Sequence, residues 1–273
     1  MDRFAKIEYS FFLFFINLRK WVSENKRHIM KKSLLVAALA VISFFNAADA
    51  RAYKFGTEAT FAPFEFTDEK SKIIGFDVDI IEAIGEVEDI DFEIVNMPFD
   101  ALVPSVLTRQ LDGAISGITI TEERAKTVSF SDPYYKSGIS AVIRAADANR
   151  IKSFDDLKNS RLCAQIGTTG AKTAAELSGN VGAFNTVPEA FLELKSKGCD
   201  AVLNDRPVNL YFLNTKQDKS FIELNQMLNG EDYGIVVSKS NSELLEKIND
   251  GLKKIKDNGK YIEIHKKWFS VEK

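Results

Sequence analysis

Histidine is nearly absent from this chain: His28 and His265 are the only two in 273 residues. The first falls in a leader segment and the second on what reads as the last helix, so no Ser-His-Asp triad is expected. Cysteine is as scarce, with Cys163 and Cys199 alone. No His/Cys group has the spacing of a zinc site, and no metal or other cofactor is expected. Neither cysteine lies near residue 50, so lipid attachment to a mature N-terminal cysteine is not expected. Both sit on or beside expected strands. Two buried thiols are the plainer reading, and a disulfide in an oxidising compartment the alternative. Low-complexity tracts and short-period repeats are missing as well. Gly167-Thr-Thr-Gly-Ala-Lys-Thr173 is not a phosphate loop, because Ala171 breaks the Gly-Lys-Thr register.

Positive charge is also short. The whole chain has a net charge of −3, and residues 1–50 hold eight of its 36 Lys and Arg but four of its 39 Asp and Glu. The chain beyond residue 50 therefore carries 28 basic against 35 acidic residues, a net of −7. Nucleic acid is a poor partner for such a surface, and a cationic ligand is weakly compatible with it. The apolar run Leu34–Phe45 is too short to span a membrane comfortably. It lies between Met30-Lys-Lys-Ser33 and Ala48-Asp-Ala50, the order of a cleavable signal peptide. Cleavage after Ala50 and a periplasmic location are expected. Residues 1–29 read as a mis-assigned upstream extension, with translation starting at Met30.

The remainder alternates short apolar strands with amphipathic helices. Strands are expected at 53–57, 92–95 and 111–116. Helices are expected at 76–87, with Phe76, Ile80, Ile84 and Val87 on one face, and at 99–109, where Pro104 is an irregularity. The pattern then restarts with strands at 137–143, 161–166, 183–187 and 200–203. Helices lie between them at 168–177 and 188–195, and another comes at 207–214. A strand at 233–238 and helices at 242–256 and 261–269 close the chain, Leu245, Ile248, Leu252 and Ile255 forming the apolar face of the first. The pattern implies two α/β units with parallel sheets and right-handed crossovers. If the last strand and helices return to the first unit, two segments cross between lobes and the lobes can hinge. The expected division is 51–135 with 234–273 as one lobe and 136–233 as the other.

The stretch Gly117-Ile-Thr-Ile-Thr-Glu-Glu-Arg124 turns from strand to helix. Thr121 suits a cap, and Glu122 and Glu123 suit the positive end of a helix. Backbone N–H groups, the Thr119 hydroxyl and the Arg124 guanidinium together suit a carboxylate. Spacing alone leaves Arg124 equally readable as a surface residue on a capped helix. Ligands in open α/β sheets bind beyond the carboxyl ends of the strands. The residues at those ends are Glu58 and Phe61, then Phe99, then Gly117, Thr119 and Arg124, then Gly167, Thr168 and Thr169, then Asn204 and Asp205. Arg124 suits a carboxylate and Asp205 an ammonium, so the set reads as a site for a zwitterion.

From Tyr53 to Phe269 the chain resembles the periplasmic polar amino-acid-binding proteins of ABC importers, solute-binding protein family 3. The resemblance rests on Gly56-Thr-Glu-Ala-Thr-Phe-Ala-Pro-Phe-Glu-Phe66, Ile74-Gly-Phe-Asp-Val-Asp79, Phe99-Asp-Ala-Leu-Val-Pro104, Gly117–Arg124 and Phe130-Ser-Asp-Pro-Tyr-Tyr135. It implies a type II periplasmic binding protein fold, α/β and two-lobed, closing on one amino acid. It also implies a monomer that hands its ligand to a membrane permease and is not an enzyme. The carboxylate clamp falls on Arg124, Thr119 and the backbone at Thr169. The ammonium partner is Asp205, helped by the Gly117 carbonyl, and Phe61 and Phe99 sandwich the ligand side chain.

Specificity would rest on fewer positions. Glu58 stands where basic-amino-acid binders place an acid against the distal cation, and Gln165 where the glutamine-binding protein has a lysine. Asp77 reads either as a second negative charge or as a cap for its helix. Arginine is expected first, with lysine, ornithine and glutamine as alternatives. Phe130–Gly138 and Asn204-Asp-Arg-Pro-Val-Asn209 resemble the glutamine member more. A cyclohexadienyl dehydratase-like enzyme on the same scaffold would need Glu58 as its general acid.

Overall fold

The structure is a computed structural model that describes Lys20 and residues 51–270 other than Gln217. The expected signal peptide and, apart from Lys20, the upstream extension lie outside the described residues. From residue 51 the chain forms β1 (Tyr53–Thr57), three short strands β2 (Thr60–Phe61), β3 (Glu65–Thr67) and β4 (Ile73–Ile74), and helix α1 (Phe76–Glu88). Then come β5 (Phe92–Asn96), α2 (Phe99–Leu107), β6 (Gly113–Ala114), the single turn α3 (Glu122–Ala125) and β7 (Ser129–Phe130). The long β8 (Tyr135–Arg144) leads to β9 (Leu162–Gln165), α4 (Thr169–Leu177), β10 (Val181–Phe184), α5 (Val187–Lys195), β11 (Ala201–Asp205) and α6 (Arg206–Lys216). β12 (Phe221–Glu223), β13 (Leu228–Tyr233), β14 (Val236–Val237), α7 (Ser242–Asp257) and α8 (Lys260–Phe269) complete it. No helix among the described residues is long and apolar enough to cross a membrane.

Two mixed sheets result. One has the order β5-β1-β6-β14-β7, the other β10-β9-β11-β8-β12 with β13 also on β8. β1 runs parallel to β5 and β6, and β9 parallel to β10 and β11, as the alternation predicts. β14, β8, β12 and β13 pair antiparallel, which the expectation of parallel sheets did not include. β12 and β13 were not anticipated at all. Leu228-Asn-Gly-Glu-Asp-Tyr233 has poor strand composition, and it is held by pairing with β8 through a register shift between Leu228 and Glu231. The small β2-β3-β4 sheet was missed because strands of two or three residues show no period.

Helix faces follow the sequence pattern closely. Phe76, Ile80 and Ile84 of α1 are fully buried. In α7 the buried row is Leu244, Ile248, Leu252 and Ile255, and Leu245 is only partly covered. Asn241 fixes that phase by accepting from the Leu244 N–H at 3.2 Å. Pro104 lies inside α2 at the cost of one N–H bond. The helix ends three residues later, where Thr108 donates both its N–H and its hydroxyl to the Pro104 carbonyl.

Cys163 and Cys199 are joined in a disulfide, in place of the two buried thiols that their sequence context favours. Their strand neighbours explain it. Cys163 pairs with Val202 across β9 and β11, and Cys199 enters β11 two residues before its start. Closing a loop of 36 residues constrains the unfolded chain by about 4 kcal/mol on a chain-entropy estimate.

The chain passes between the sheets at Tyr135 and Tyr233, which lie opposite each other in register. Their rings stack at 5.7 Å, and Phe64 meets them edge-on at 4.9 and 5.2 Å. Phe269 of α8 closes the cluster at 5.4 Å from Phe64. Each such pair adds about 0.5–1.5 kcal/mol beyond its burial, so the crossing strands are anchored on the first sheet's side.

Candidate functional site

The turn after β6 is shaped by Gly117. Its φ is +53°, and an added Cβ would fall 2.9 Å from the Phe61 ring. Only glycine takes both the conformation and the approach without strain. The Gly117 N–H donates to Asp77 Oδ2 at 2.7 Å, and Tyr134 Oη donates to the same oxygen at 2.7 Å. Beside it Ser116 Oγ donates to Glu65 Oε1 at 2.7 Å and accepts from the Glu58 N–H at 3.0 Å. Glu65 Oε2 and Asp77 Oδ1 are both buried without another partner among the described residues. Burial pushes Glu65 well above the carboxylate range and Asp77 up to about 6. The charge of Asp77 adds to burial in raising Glu65.

On the opposite side of the turn stand the cleft residues. Thr121 caps α3, accepting from the Arg124 N–H at 3.2 Å. That places the Arg124 guanidinium back over the turn. Nη1 donates to the Thr119 carbonyl at 2.8 Å and Nη2 to the Gly167 carbonyl at 2.9 Å, so one side chain ties the loops after β6 and β9 together. A guanidinium has five N–H groups, and three of them make no hydrogen bond among the described residues. The charge lies 5.5 Å from the Phe99 ring centre, a cation–π contact. Gly167 has φ +77°, and a Cβ there would meet Asp100 at 2.9 Å, so this approach of the two loops also requires glycine.

Thr169, the first residue of α4, faces Thr119 with the two hydroxyl oxygens 3.5 Å apart. Both donate at 2.9 Å to one acceptor, Glu231 Oε2. Asp205, at the end of β11, is 4 % exposed and accepts from Ser137 Oγ at 3.1 Å, which in turn accepts from Tyr233 Oη at 3.1 Å. Burial, and then the charge of Glu231, raises Asp205 to about 7, while Ser137, Tyr233 and Arg124 oppose the shift. Burial lowers the Arg124 pKa against the charges of Asp205 and Glu231. Arg124 and Asp205, read from sequence as the two poles of one site, thus lie within each other's field.

Glu58 is buried at the end of β1. Its Oε1 accepts from Thr60 Oγ1 at 2.7 Å and its Oε2 from Gln165 Nε2 at 3.1 Å, a contact between the ends of β1 and β9. Burial raises its pKa. Gln165 also donates to the Asn185 carbonyl at 2.9 Å, and its own Oε1 has no partner among the described residues. Phe61 is buried against Gly117, and Phe99 is half-buried under Arg124. The structure thus groups Gly117, Thr119, Arg124, Thr169 and Asp205 around one place and Glu58 with Gln165 at another edge. Asp77 lies behind the turn, 0 % exposed. It neither faces the cleft nor caps α1, whose cap position is Gly75.

Two residues escaped the sequence reading. Glu65 was only part of a motif, with nothing to mark it as a partner of Asp77. Glu231 sits in a polar run that carried no periodic signal, although its place just before the returning strand 233–238 marks it as adjacent to a crossing.

Residues 53–271 match the bacterial extracellular solute-binding proteins, family 3, and the chain belongs to that family. It is 36% identical over 245 residues to the ABC transporter arginine-binding protein 1 of Escherichia coli K12, covering 88% of this chain and 99% of that protein. Among solved structures, an ancestral arginine-binding protein bound to arginine is 40% identical, with a TM-score of 0.77 over 80% of this chain and 98% of that one. One bound to glutamine matches as well, at 40% identity and a TM-score of 0.77 over 81% and 98%. An ancestral amino acid-binding protein described as a precursor of cyclohexadienyl dehydratase matches at 32% identity and a TM-score of 0.75, over 80% and 96%. The fold is the two-lobed type II arrangement expected from the motifs, and the relatives it matches at full length are transport binding proteins.

Proposed function

We propose that this protein captures a free basic L-amino acid, arginine before lysine or ornithine, and delivers it to the membrane permease of an ABC importer. The observation that carries the reading is the meeting of Arg124, Thr119 and Thr169 between loops of two sheets, with Asp205 close enough to feel the charge of Arg124. Arg124, Thr119 and the backbone at Thr169 take the ligand's carboxylate. Asp205 and the Gly117 carbonyl take its ammonium. Phe61 and Phe99 flank the side chain, and Glu58 pairs with its distal cation beside Gln165. Residues 51–135 with 234–273 form one lobe and 136–233 the other. Closure is driven by contacts that exist to both lobes only in the shut form. The protein works as a periplasmic monomer released by cleavage after Ala50.

Glutamine is the second reading. It is favoured by the unpartnered Gln165 Oε1 beside Glu58 and by the glutamine-bound relative. Calorimetry with the twenty amino acids separates the two: arginine binding no tighter than glutamine would overturn the basic-ligand assignment. Catalysis is not assigned. Turnover of prephenate or arogenate, lost in Glu58→Gln, would reverse that.

A further inference from the structure

The place proposed for the ligand's carboxylate already holds one. Glu231 Oε2 accepts from Thr119 Oγ1 and from Thr169 Oγ1, each at 2.9 Å. One hydroxyl belongs to the Gly117 turn and the other to the start of α4, so the contact joins the same two loops that Arg124 joins. A ligand carboxylate and Glu231 cannot share these donors, because two unprotonated carboxylates at contact distance repel. Glu231 has somewhere else to go. It stands at the register shift of β13, and the residue also borders a cavity of about 830 Å³ beside the crossing strands β8 and β13, the hinge. Lys136 and Arg206 line that cavity too, with the rings of Tyr135, Tyr211 and Trp268.

We propose that Glu231 is a built-in stand-in for the ligand's carboxylate. It holds Thr119 and Thr169 together while no ligand carboxylate is present, and it turns into the hinge cavity when one arrives. The inference rests on the amino-acid-binding function and adds to it a second ligand class. A cationic amine without a carboxylate, such as the decarboxylated arginine analogue agmatine, binds with Glu231 left in place. Its guanidinium meets Glu58, and its ammonium meets Asp205 with Glu231 nearby. Glu231 therefore sets the balance between amino acids and the corresponding amines: it competes with the first and assists the second.

The test is calorimetric titration of the full-length wild type, Glu231→Ala and Glu231→Gln with arginine and with agmatine, after thermal melting has shown all three folded. The ratio of the agmatine Kd to the arginine Kd is the readout, since it is insensitive to a partly inactive sample. It should rise about tenfold or more in Glu231→Ala, the scale of one charge-assisted hydrogen bond. Arginine should tighten and agmatine weaken, and Glu231→Gln should fall between. An unchanged or smaller ratio in both variants, with arginine still bound by the wild type, would overturn the role of Glu231 and leave the amino-acid reading standing. A folded wild type that binds no arginine would overturn that reading and this inference with it.

Discussion

The two sides of the Gly117–Arg124 turn use the same chemistry to different ends. Behind the turn, Asp77 and Glu65 are fully buried, and each accepts from protein donors: Gly117 and Tyr134 for one, Ser116 for the other. In front of it, Asp205 is held by Ser137 of the neighbouring strand β8, and Glu231 by Thr119 and Thr169 from two separate loops. Acids of the first kind fix a backbone shape. Of the second kind, Glu231, whose two donors sit on separate loops, is able to change partners. Burial alone does not distinguish them, since Asp77 and Asp205 are both almost completely covered. What separates them is which elements supply their donors.

The largest effect should come from the front. Truncating Arg124 removes the one cation of the site and its ties to the Thr119 and Gly167 carbonyls. Loss of one partner of a buried, hydrogen-bonded charge pair costs about 3 kcal/mol, or roughly 100-fold in Kd. Arg124→Ala should therefore lose arginine and glutamine alike in calorimetry, with little change in melting temperature. An equally large drop in melting temperature would mean that the front of the turn is structural too. Asp77→Ala should do the reverse. It leaves the Gly117 N–H and the Tyr134 hydroxyl unpaired in the interior, a loss of about 3 kcal/mol in stability. Melting should fall by about 10 °C for a domain of this size, and whatever affinity is lost should be lost equally for cationic and neutral ligands.

The alternation of strands and helices was readable because its period is set by which face each element buries. The turn was readable because glycine, a capping threonine and an arginine each answer a local requirement. Asp77 could be picked out, but its side of the turn could not be foretold. Its direction depends on Tyr134, nearly sixty residues away. Glu231 was not legible for the same reason: its partners Thr119 and Thr169 come from two other loops, 112 and 62 residues distant. The disulfide depended on two strands becoming neighbours, which spacing does not encode. Local chemistry is written in the sequence, and the partners chosen across the fold are written in its topology.

A smaller effect tests the edge of the front side. Glu58 receives Thr60 and Gln165 and is the carboxylate proposed to meet the ligand's distal cation. Glu58→Gln should weaken arginine by about tenfold while leaving glutamine within about twofold, the worth of one desolvated ion pair less its cost. Equal losses for the two ligands would move Glu58 to the structural side of the comparison.

The smallest effect is one of pH, and it separates front from back without a mutation. Burial, then Glu231, holds Asp205 at about 7, above the ordinary aspartate range. A raised folded-state pKa means that the unliganded fold takes up a proton that the unfolded chain releases. Its contribution to stability is fully present in acid, below the unfolded value, and is lost as pH rises through about 7. Ligand binding has the opposite sign, because an ammonium requires the ionised carboxylate. Below pH 7 arginine must displace that proton, so affinity should fall, approaching tenfold per pH unit, while the unliganded protein becomes no less stable on this account. Calorimetry at pH 6 in buffers of different ionisation heat should register close to one proton released per arginine bound. The Asp77–Glu65 pair is also shifted upward, but it keeps its protein partners in both states and should release nothing. A proton release that survives unchanged in Asp205→Asn, measured at arginine concentrations high enough to saturate it, would take the titration away from Asp205, and its further survival in Glu58→Gln would place the titrating group behind the turn and erase the distinction.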